Sequence, residues 1–174
     1  MATLPMSTTP QEHKADAPQS IRCAVITVSD TRTFETDAGG QAVVDHLLAA
    51  GHQIVFRDII PDEPAQMRPL LESLRARDDV DAVLLTGGTG ISSRDQTYET
   101  VASLISRPLP GYGELLRMLS YEQIGSATML SRATGGLMGR TLLLTMPGSR
   151  AAVQLAMEKI IVPELPHLIR EARR

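Results

Sequence analysis

Short apolar runs alternate along this chain with segments in which apolar residues recur at helical spacing, and this alternation constrains the fold most strongly. The apolar runs are flanked by turn-forming residues and predict strands. The predicted strands cover residues 21–28, 53–60, 82–85 and 141–145, and the helices between the first three cover residues 37–50 and 64–77. Such alternation is typical of βαβ units. We therefore predict an α/β fold with a mostly parallel sheet and helices on both faces.

The rest of the chain adds helices but has a less regular pattern. One helix is predicted from just after Arg94 to about residue 106, and another over residues 114–125, after the turn RPLPGYG. The segment 126–140 combines features of a short strand with those of a glycine-rich turn. A final amphipathic segment runs from residue 149 to the end, and its two internal prolines are expected to interrupt it.

The chain is expected to form one domain. A length of 174 residues suits a single hydrophobic core, predicted over residues 21–174 behind a flexible tail at residues 1–20. The tail lacks the pattern of a secretory signal, and no window reaches the roughly 18 apolar residues of a membrane span. The only cysteine, Cys23, lies within the apolar run CAVITV. We expect a buried thiol in a cytoplasmic protein without a membrane partner.

The composition argues against nucleic acid as a partner. The formal net charge is −3, and only 3% of the residues are aromatic. A polyanion requires a basic stripe, and single-stranded bases require aromatic side chains on which to stack. Neither feature is present in the composition, so we do not expect nucleic acid as a partner.

The strongest signal for a binding site is the stretch LLTGGTGISSRDQTYET, residues 84–100, which includes the end of the third predicted strand. Its glycines leave backbone N–H groups open to an anion, and a following helix adds the favourable end of its dipole. The stretch fits neither the Walker A pattern nor the dinucleotide pattern GxGxxG. It predicts a phosphate-binding loop, and the alternative is a tight strand-to-helix turn without a ligand.

Two aspartates are placed to meet at one edge of the sheet, where the loops after the strands of an α/β protein bind ligands. Asp95 ends the glycine-rich stretch, and Asp62 follows the second predicted strand. Together they could share a Mg²⁺ ion with substrate phosphates. Each also has an ordinary structural interpretation, because Asp95 or Thr97 could cap a helix and Asp62 could be a turn or capping residue.

Arginine, rather than lysine or histidine, supplies positive charge near this loop. Arg94 could bind a phosphate through two N–H groups or remain a solvated surface residue. The two lysines lie in the tail and the last helix, and the four histidines lack the spacing of metal ligands. A phosphate nucleophile is already ionised at pH 7 and needs no general base. The residues therefore suit phosphoryl or nucleotidyl transfer by positioning and charge neutralisation.

Six motifs occur along the chain in an order that matches a known family. They are AVITVSD, IIPDE, LLTGGTG with its trailing RDQT, MLSYEQIG, SRATGG and TLLLTMPGS, spread between about Arg22 and Pro166. In this order the chain resembles the MoaB/MogA family of molybdenum-cofactor biosynthesis, and MLSYEQIG and MPGS are closer to the MoaB branch. The resemblance implies a three-layer α/β/α sandwich that binds molybdopterin. Active members adenylylate molybdopterin with ATP and Mg²⁺ and release pyrophosphate.

The resemblance also implies roles for individual residues. Asp62 and Asp95 match the family's essential acidic residues, expected to be catalytic and to hold the metal. The residues that match its anion-binding loop are Gly87, Gly88, Thr89 and Gly90. The other residues expected to bind the substrates are Ser29, Asp30, Arg94, Thr97, Ser131, Arg132, Pro147, Gly148 and Ser149.

Three functions are weighed on this basis. The leading one is a molybdopterin adenylyltransferase, because this chain keeps both aspartates, which inactive MoaB proteins lack. The alternatives are a non-catalytic molybdopterin carrier of the same pathway and a generic nucleotide-binding oligomer. The family implies a homo-oligomer, either a trimer or a hexamer, whose product passes to the protein that inserts molybdate. Tyr98 replaces a proline that is frequent in the family, and the sequence gives it no role.

Overall fold

The computed structural model describes residues 18–174, so residues 1–17 of the predicted tail lie outside the described part. The strands are β1 (Arg22–Val28), β2 (Gln53–Ile60), β3 (Ala82–Thr86), β4 (Arg107–Pro108), β5 (Gly135–Met138) and β6 (Thr141–Met146). The α-helices are α1 (Ala38–Ala49), α2 (Pro64–Arg75), α3 (Thr97–Leu104), α4 (Pro110–Ile124), α5 (Arg150–Ala156) and α6 (Val162–Ala172). A 3₁₀ segment, Gly125–Leu130, follows α4, and a π-helical turn, Met157–Ile161, joins α5 to α6.

The strands form one sheet in the order β2-β1-β3-β6-β5-β4. The four strands predicted from the sequence, β1, β2, β3 and β6, pair in parallel, whereas β5 and β4 extend the sheet in antiparallel fashion. The chain leaves β1 to form β2 on one side and later returns to form β3 on the other side. This reversal places a topological switch between the carboxyl ends of β1 and β3, where ligands of such sheets bind.

The sheet has a hydrophobic core on each face. Along β1, Cys23 and Val25 pack against α1, α5 and α6, while Ala24 and Ile26 pack on the opposite face against α2 and α3. The alternation follows from the two-residue period of a strand, and a strand buried on both faces is apolar throughout. The predicted α/β/α sandwich is therefore confirmed. Burial also raises the pKa of the Cys23 thiol to about 12, so this cysteine is a packed core residue.

The two antiparallel strands were predicted only in part. The segment 126–140, which has features of a short strand, contains β5, and β5 forms a hairpin with β6. Strand β4 was missed because its pairing with β5 depends on distant residues. Strand β4 has two residues, and β5 begins with two glycines, which are poor strand formers. A Cβ on Gly136 would lie 2.4 Å from the Arg107 carbonyl oxygen. Glycine at this position therefore permits the close approach of β4 to β5.

The helices also differ from the prediction at two places. Helix α4 begins at Pro110 rather than at residue 114, because a proline fits the first turn, where its missing N–H would have no helical partner. The expected interruption occurs only before Pro163, where a π-helical turn separates α5 from α6, whereas Pro166 lies inside α6. The chain stays helical from Arg150 to Ala172. The π-helical turn directly before α6 places Pro163 in a new first turn. In residues 18–174, no helix has the length and apolar character needed to cross a membrane.

Candidate active site

The ends of β1, β3 and β6 are held together at Gly87. The Gly87 N–H donates to the Met146 carbonyl oxygen over 3.0 Å. Gly87 has a φ of +105°, and a Cβ at this position would lie 2.2 Å from the Val28 carbonyl oxygen. Only glycine fits such a contact in such a conformation. The glycines thus form a tight turn, which was the alternative prediction from the sequence. They also place the loop backbone at the switch point of the sheet.

Asp62 lies beneath this loop and is only 5% exposed. Its Oδ2 atom accepts a hydrogen bond from the Gln96 N–H over 3.1 Å, and its Oδ1 atom accepts one from the Thr97 hydroxyl over 3.4 Å. Asp62 therefore caps the start of α3 from a neighbouring loop. Burial raises the pKa of Asp62, and the charge of Asp95 adds to the rise, although the Gln96 N–H opposes it.

Asp95 lies on the other side of the loop. Its Oδ2 atom accepts a hydrogen bond from the Ser92 N–H over 2.9 Å, and the carboxylate lies against Gly90. The residue that precedes α3 as its N-cap is Gln96, so neither Asp95 nor Thr97 takes the capping position considered from the sequence. Asp95 lines a cavity of about 390 Å³, which we call the glycine-loop cavity.

The glycine-loop cavity collects residues from four parts of the chain. From the predicted set, its lining includes Gly87, Gly88, Thr89, Gly90, Asp95, Ser131, Pro147, Gly148 and Ser149. One wall of the cavity, formed by α4 and the 3₁₀ segment, was not predicted from the sequence. Its residues are Ser120, Ile124, Ala127, Thr128 and Leu130. The MLSYEQIG motif carries part of this wall. The motif was not predicted to be part of the site, because its residues also fit an ordinary amphipathic helix.

Other predicted residues line a different cavity. Ser29, Asp30 and Arg94 border a second cavity of about 640 Å³ beside the β1 loop, which we call the β1-loop cavity. Arg94 donates two hydrogen bonds to Asp30, at 2.8 and 2.9 Å, and one to Glu63 at 2.5 Å. Arg94 thereby joins the loops that follow β1, β2 and β3, and it lowers the pKa of Asp30. It is a paired residue in this structure rather than a solvated one.

Arg132 contacts the glycine-rich loop from outside the cavities. Its side chain donates to the Gly90 carbonyl over 2.6 Å, to the Asp95 carbonyl over 2.9 Å and to the Glu99 carboxylate. Its guanidinium carbon also lies 5.2 Å from the centre of the Tyr98 ring. Tyr98, which had no role in the sequence analysis, thus packs on the arginine that holds the loop. Arg132 and Thr97 support the loop from behind.

A metal ion at this site would need ligands beyond those that the protein side chains supply. Within residues 18–174, no group of three or more His, Cys, Asp or Glu side chains could hold a metal ion. Mg²⁺ commonly binds one or two carboxylates and completes its shell with water and substrate phosphates. Asp95, which faces the cavity, fits such a role, and buried Asp62 adds negative charge close to it.

Replacing Gly88 with alanine should destabilise the protein more than the same change at Gly51. Both glycines have positive φ, +63° and +81°, so each variant carries a similar backbone cost of roughly 1–2 kcal/mol. A Cβ on Gly51 meets nothing within 4 Å, whereas a Cβ on Gly88 would lie 2.2 Å from Asp62 Oδ2. Chemical denaturation of both variants measures the difference. Equal losses of unfolding free energy would contradict the close approach of Asp62 to the loop.

Arg132→Gln should loosen the glycine-rich loop without unfolding the domain. Hydrogen bonds from a charged donor each contribute about 1.5–3 kcal/mol. We expect the local opening free energy of residues 88–96 to fall by at least that amount, seen as faster amide hydrogen exchange in this segment. Arg68→Gln is the matched control, because Arg68 is exposed and its side chain bonds to Ser103 on the outer surface. Unchanged exchange in Arg132→Gln would show that the loop is rigid without this side chain.

Comparison with known proteins places this architecture in one family. A sequence profile described as a probable molybdopterin binding domain matches residues 24–167. The chain is 50% identical to the molybdenum cofactor biosynthesis protein B of Bacillus subtilis (strain 168) over 165 residues, covering 94% of this chain and 97% of that protein.

Solved structures agree with this match. A crystal structure of a molybdenum cofactor biosynthesis protein B has a TM-score of 0.87 and 46% identity, covering 91% of this chain and 99% of the other. The tungsten cofactor synthesizing protein MoaB from Pyrococcus furiosus has a TM-score of 0.80 and 35% identity, covering 91% of this chain and all of the other, 100%. The chain therefore belongs to the molybdopterin-binding family of molybdenum-cofactor biosynthesis proteins, in its MoaB branch.

Proposed function

We propose that this chain is a molybdopterin adenylyltransferase. A terminal phosphate oxygen of molybdopterin attacks the α-phosphorus of ATP. A new P–O bond forms there as the bond to the bridging oxygen breaks, and pyrophosphate leaves. The observation that carries the proposal is a glycine loop and a carboxylate, Asp95, on one cavity wall at the switch point of the sheet. Backbone N–H groups can position phosphates, and a carboxylate can hold the Mg²⁺ ion that neutralises them.

The chemistry needs no histidine or serine nucleophile. The attacking phosphate is ionised at neutral pH, so the protein contributes orientation and charge stabilisation rather than proton removal. The backbone of the glycine loop would contact phosphate oxygens. The loop residues have small side chains or none, so the phosphates can approach the backbone closely. The glycine-loop and β1-loop cavities, of about 390 and 640 Å³, lie at the same sheet edge and give room for two substrates.

Mg²⁺ is the metal that fits this arrangement. Asp95, with Asp62 close behind it, would hold the ion, which supplies charge neutralisation to the phosphates when bound. The two aspartates differ in access, because Asp95 borders the cavity and Asp62 is buried under Gly88. We therefore assign the direct contact to Asp95 and a positioning and electrostatic role to Asp62.

The direct test is to incubate the protein with molybdopterin, ATP and Mg²⁺ and to measure pyrophosphate and adenylylated pterin. Asp95→Asn should lower the turnover number by about 100-fold or more, as expected when a group that stabilises transition-state charge is lost. Asp45→Asn, on the exposed side of α1, is the matched control and should leave turnover unchanged. Tight molybdopterin binding by the wild type without product would favour the carrier function instead.

The variant Asp62→Asn distinguishes the effect of the buried charge of Asp62 from its effect as a helix cap. Asparagine can still accept the Gln96 N–H, so the start of α3 should remain formed. If the charge of Asp62 supports metal binding, turnover should fall and the Mg²⁺ concentration needed for half-maximal rate should rise, while the unfolding midpoint changes little. An unchanged Mg²⁺ requirement would reduce Asp62 to a capping residue.

We also propose that the chain works as a homo-oligomer, a trimer or a hexamer. Several large apolar side chains are exposed on α4 and the 3₁₀ segment, among them Met118 and Tyr121, each 61% exposed, and Met129, 75% exposed. Several large exposed apolar side chains on neighbouring elements are typical of a protein interface. They adjoin the wall of the glycine-loop cavity, so a neighbouring subunit would border the site.

Light scattering should give three or six times the chain mass of 18.8 kDa. Met118→Glu should shift the protein towards the monomer, because a charge in an apolar interface is costly to desolvate. Leu48→Glu, at a side chain 54% exposed on α1, should leave the assembly intact. A monomeric wild type, or equal effects of the two substitutions, would contradict this assignment of the interface.

A further inference from the structure

Another cavity, lined by charged residues, lies at the opposite edge of the sheet from the candidate active site. It has a volume of about 480 Å³ and is bordered by the amino ends of β1, β3 and β6. Five arginines contribute to its lining, namely Arg22, Arg75, Arg77, Arg140 and Arg173. We call it the arginine cavity. None of these residues belongs to the predicted substrate site.

Three of the arginines are already paired with carboxylates. Arg22 and Arg173 both donate to the same oxygen of Asp81, at 2.7 and 2.5 Å, so two positive charges share one buried carboxylate. Arg77 donates to both oxygens of Asp79 at 2.8 Å. Asp78, an exposed residue, adds a further negative charge to the lining. Even so, the five arginines outnumber these three aspartates.

The remaining two arginines have no acidic partner. Within residues 18–174, neither Arg75 nor Arg140 has a carboxylate or a hydrogen-bond acceptor for its guanidinium group. The Arg75 Nε atom lies 3.7 Å from the position of a Cβ on Gly139, so it reaches from the end of α2 to the β5–β6 turn that carries Arg140. Both side chains are exposed, so their N–H groups are accessible to an anion from solution.

We propose that the arginine cavity binds a small anion that carries two or more phosphate groups. A guanidinium group presents a planar pair of donors that matches two phosphate oxygens, and several such groups around one cavity favour a multivalent ligand. The local excess of positive charge contrasts with the formal net charge of −3 for the whole chain. A concave site of this size suits a small molecule better than a protein surface.

Calorimetric titration of the full chain with inorganic pyrophosphate tests the proposal. The double variant Arg75→Ala with Arg140→Ala should weaken binding at one site by roughly tenfold or more, because it removes both unpaired donors. The matched control is Arg68→Ala with Arg107→Ala, which removes the same charge from exposed positions outside the cavity. The control should bind like the wild type, and binding by the wild type should weaken as the salt concentration rises.

Two further measurements make the result decisive. Arg75→Lys with Arg140→Lys keeps the charge but loses the paired donors, so its affinity should lie between those of the wild type and the alanine variant. Titration with ADP in place of pyrophosphate distinguishes a free oxyanion from a phosphate chain carried by a nucleotide. Equal affinities of wild type and the cavity variant for both ligands would overturn the proposal. So would a change in oligomeric state of the cavity variant without any change in anion affinity, since that would identify a subunit contact.

The arginine cavity and the candidate active site lie at opposite edges of the sheet. Pyrophosphate is also the product of the proposed reaction and can bind at the candidate active site, so only the binding that Arg75→Ala with Arg140→Ala removes reports on the arginine cavity. Failure of pyrophosphate to bind at the arginines leaves the adenylylation assay unaffected. Loss of adenylylation in Asp95→Asn likewise says nothing about the arginine cavity.

Discussion

The close packing of the glycine loop against its neighbours is the constraint on which the site depends. Gly87 touches the Val28 carbonyl, and Gly88 lies against the Asp62 carboxylate, at distances that admit no side chain. These contacts place the loop backbone at the switch point between β1 and β3. The same contacts bury Asp62 and bring its charge close to Asp95, which raises the pKa of Asp62. Loop position and site electrostatics therefore have one common cause.

A site built mainly from backbone and carboxylates explains the absence of a histidine or lysine among the predicted substrate residues. Phosphate chemistry of this type requires fixed dipoles and charge neutralisation more than proton transfer. The arginines that surround the loop have structural tasks instead. Arg94 joins three loops through Asp30 and Glu63, and Arg132 holds the carbonyls of Gly90 and Asp95. The proposed reaction requires two large anionic substrates to be held in position, which a rigid loop favours.

The sequence predicted the four parallel strands and the glycine loop because these features are local. Strand β3 is a run of apolar residues, and the glycines directly follow its end. It could not predict β4, whose pairing with β5 joins residues about thirty positions apart, or the wall formed by α4. The residues predicted to bind the substrates were expected to form one pocket. In the structure they line two cavities or, like Arg132 and Thr97, contact the glycine loop from outside these cavities. That division depends on side-chain contacts such as Arg94 with Asp30, which have no signature in a single sequence.

In the proposed reaction, the glycine loop holds the phosphates of the nucleotide, and Asp95 holds the Mg²⁺ ion that neutralises them. The most direct measurement is a crystal structure of the protein with Mg²⁺ and an ATP analogue whose α,β-bridge cannot be cleaved. We predict density for the phosphates against the backbone of residues 87–90, with the metal in contact with the Asp95 carboxylate. Phosphates bound elsewhere on the protein, with the glycine loop left to solvent, would contradict the claim.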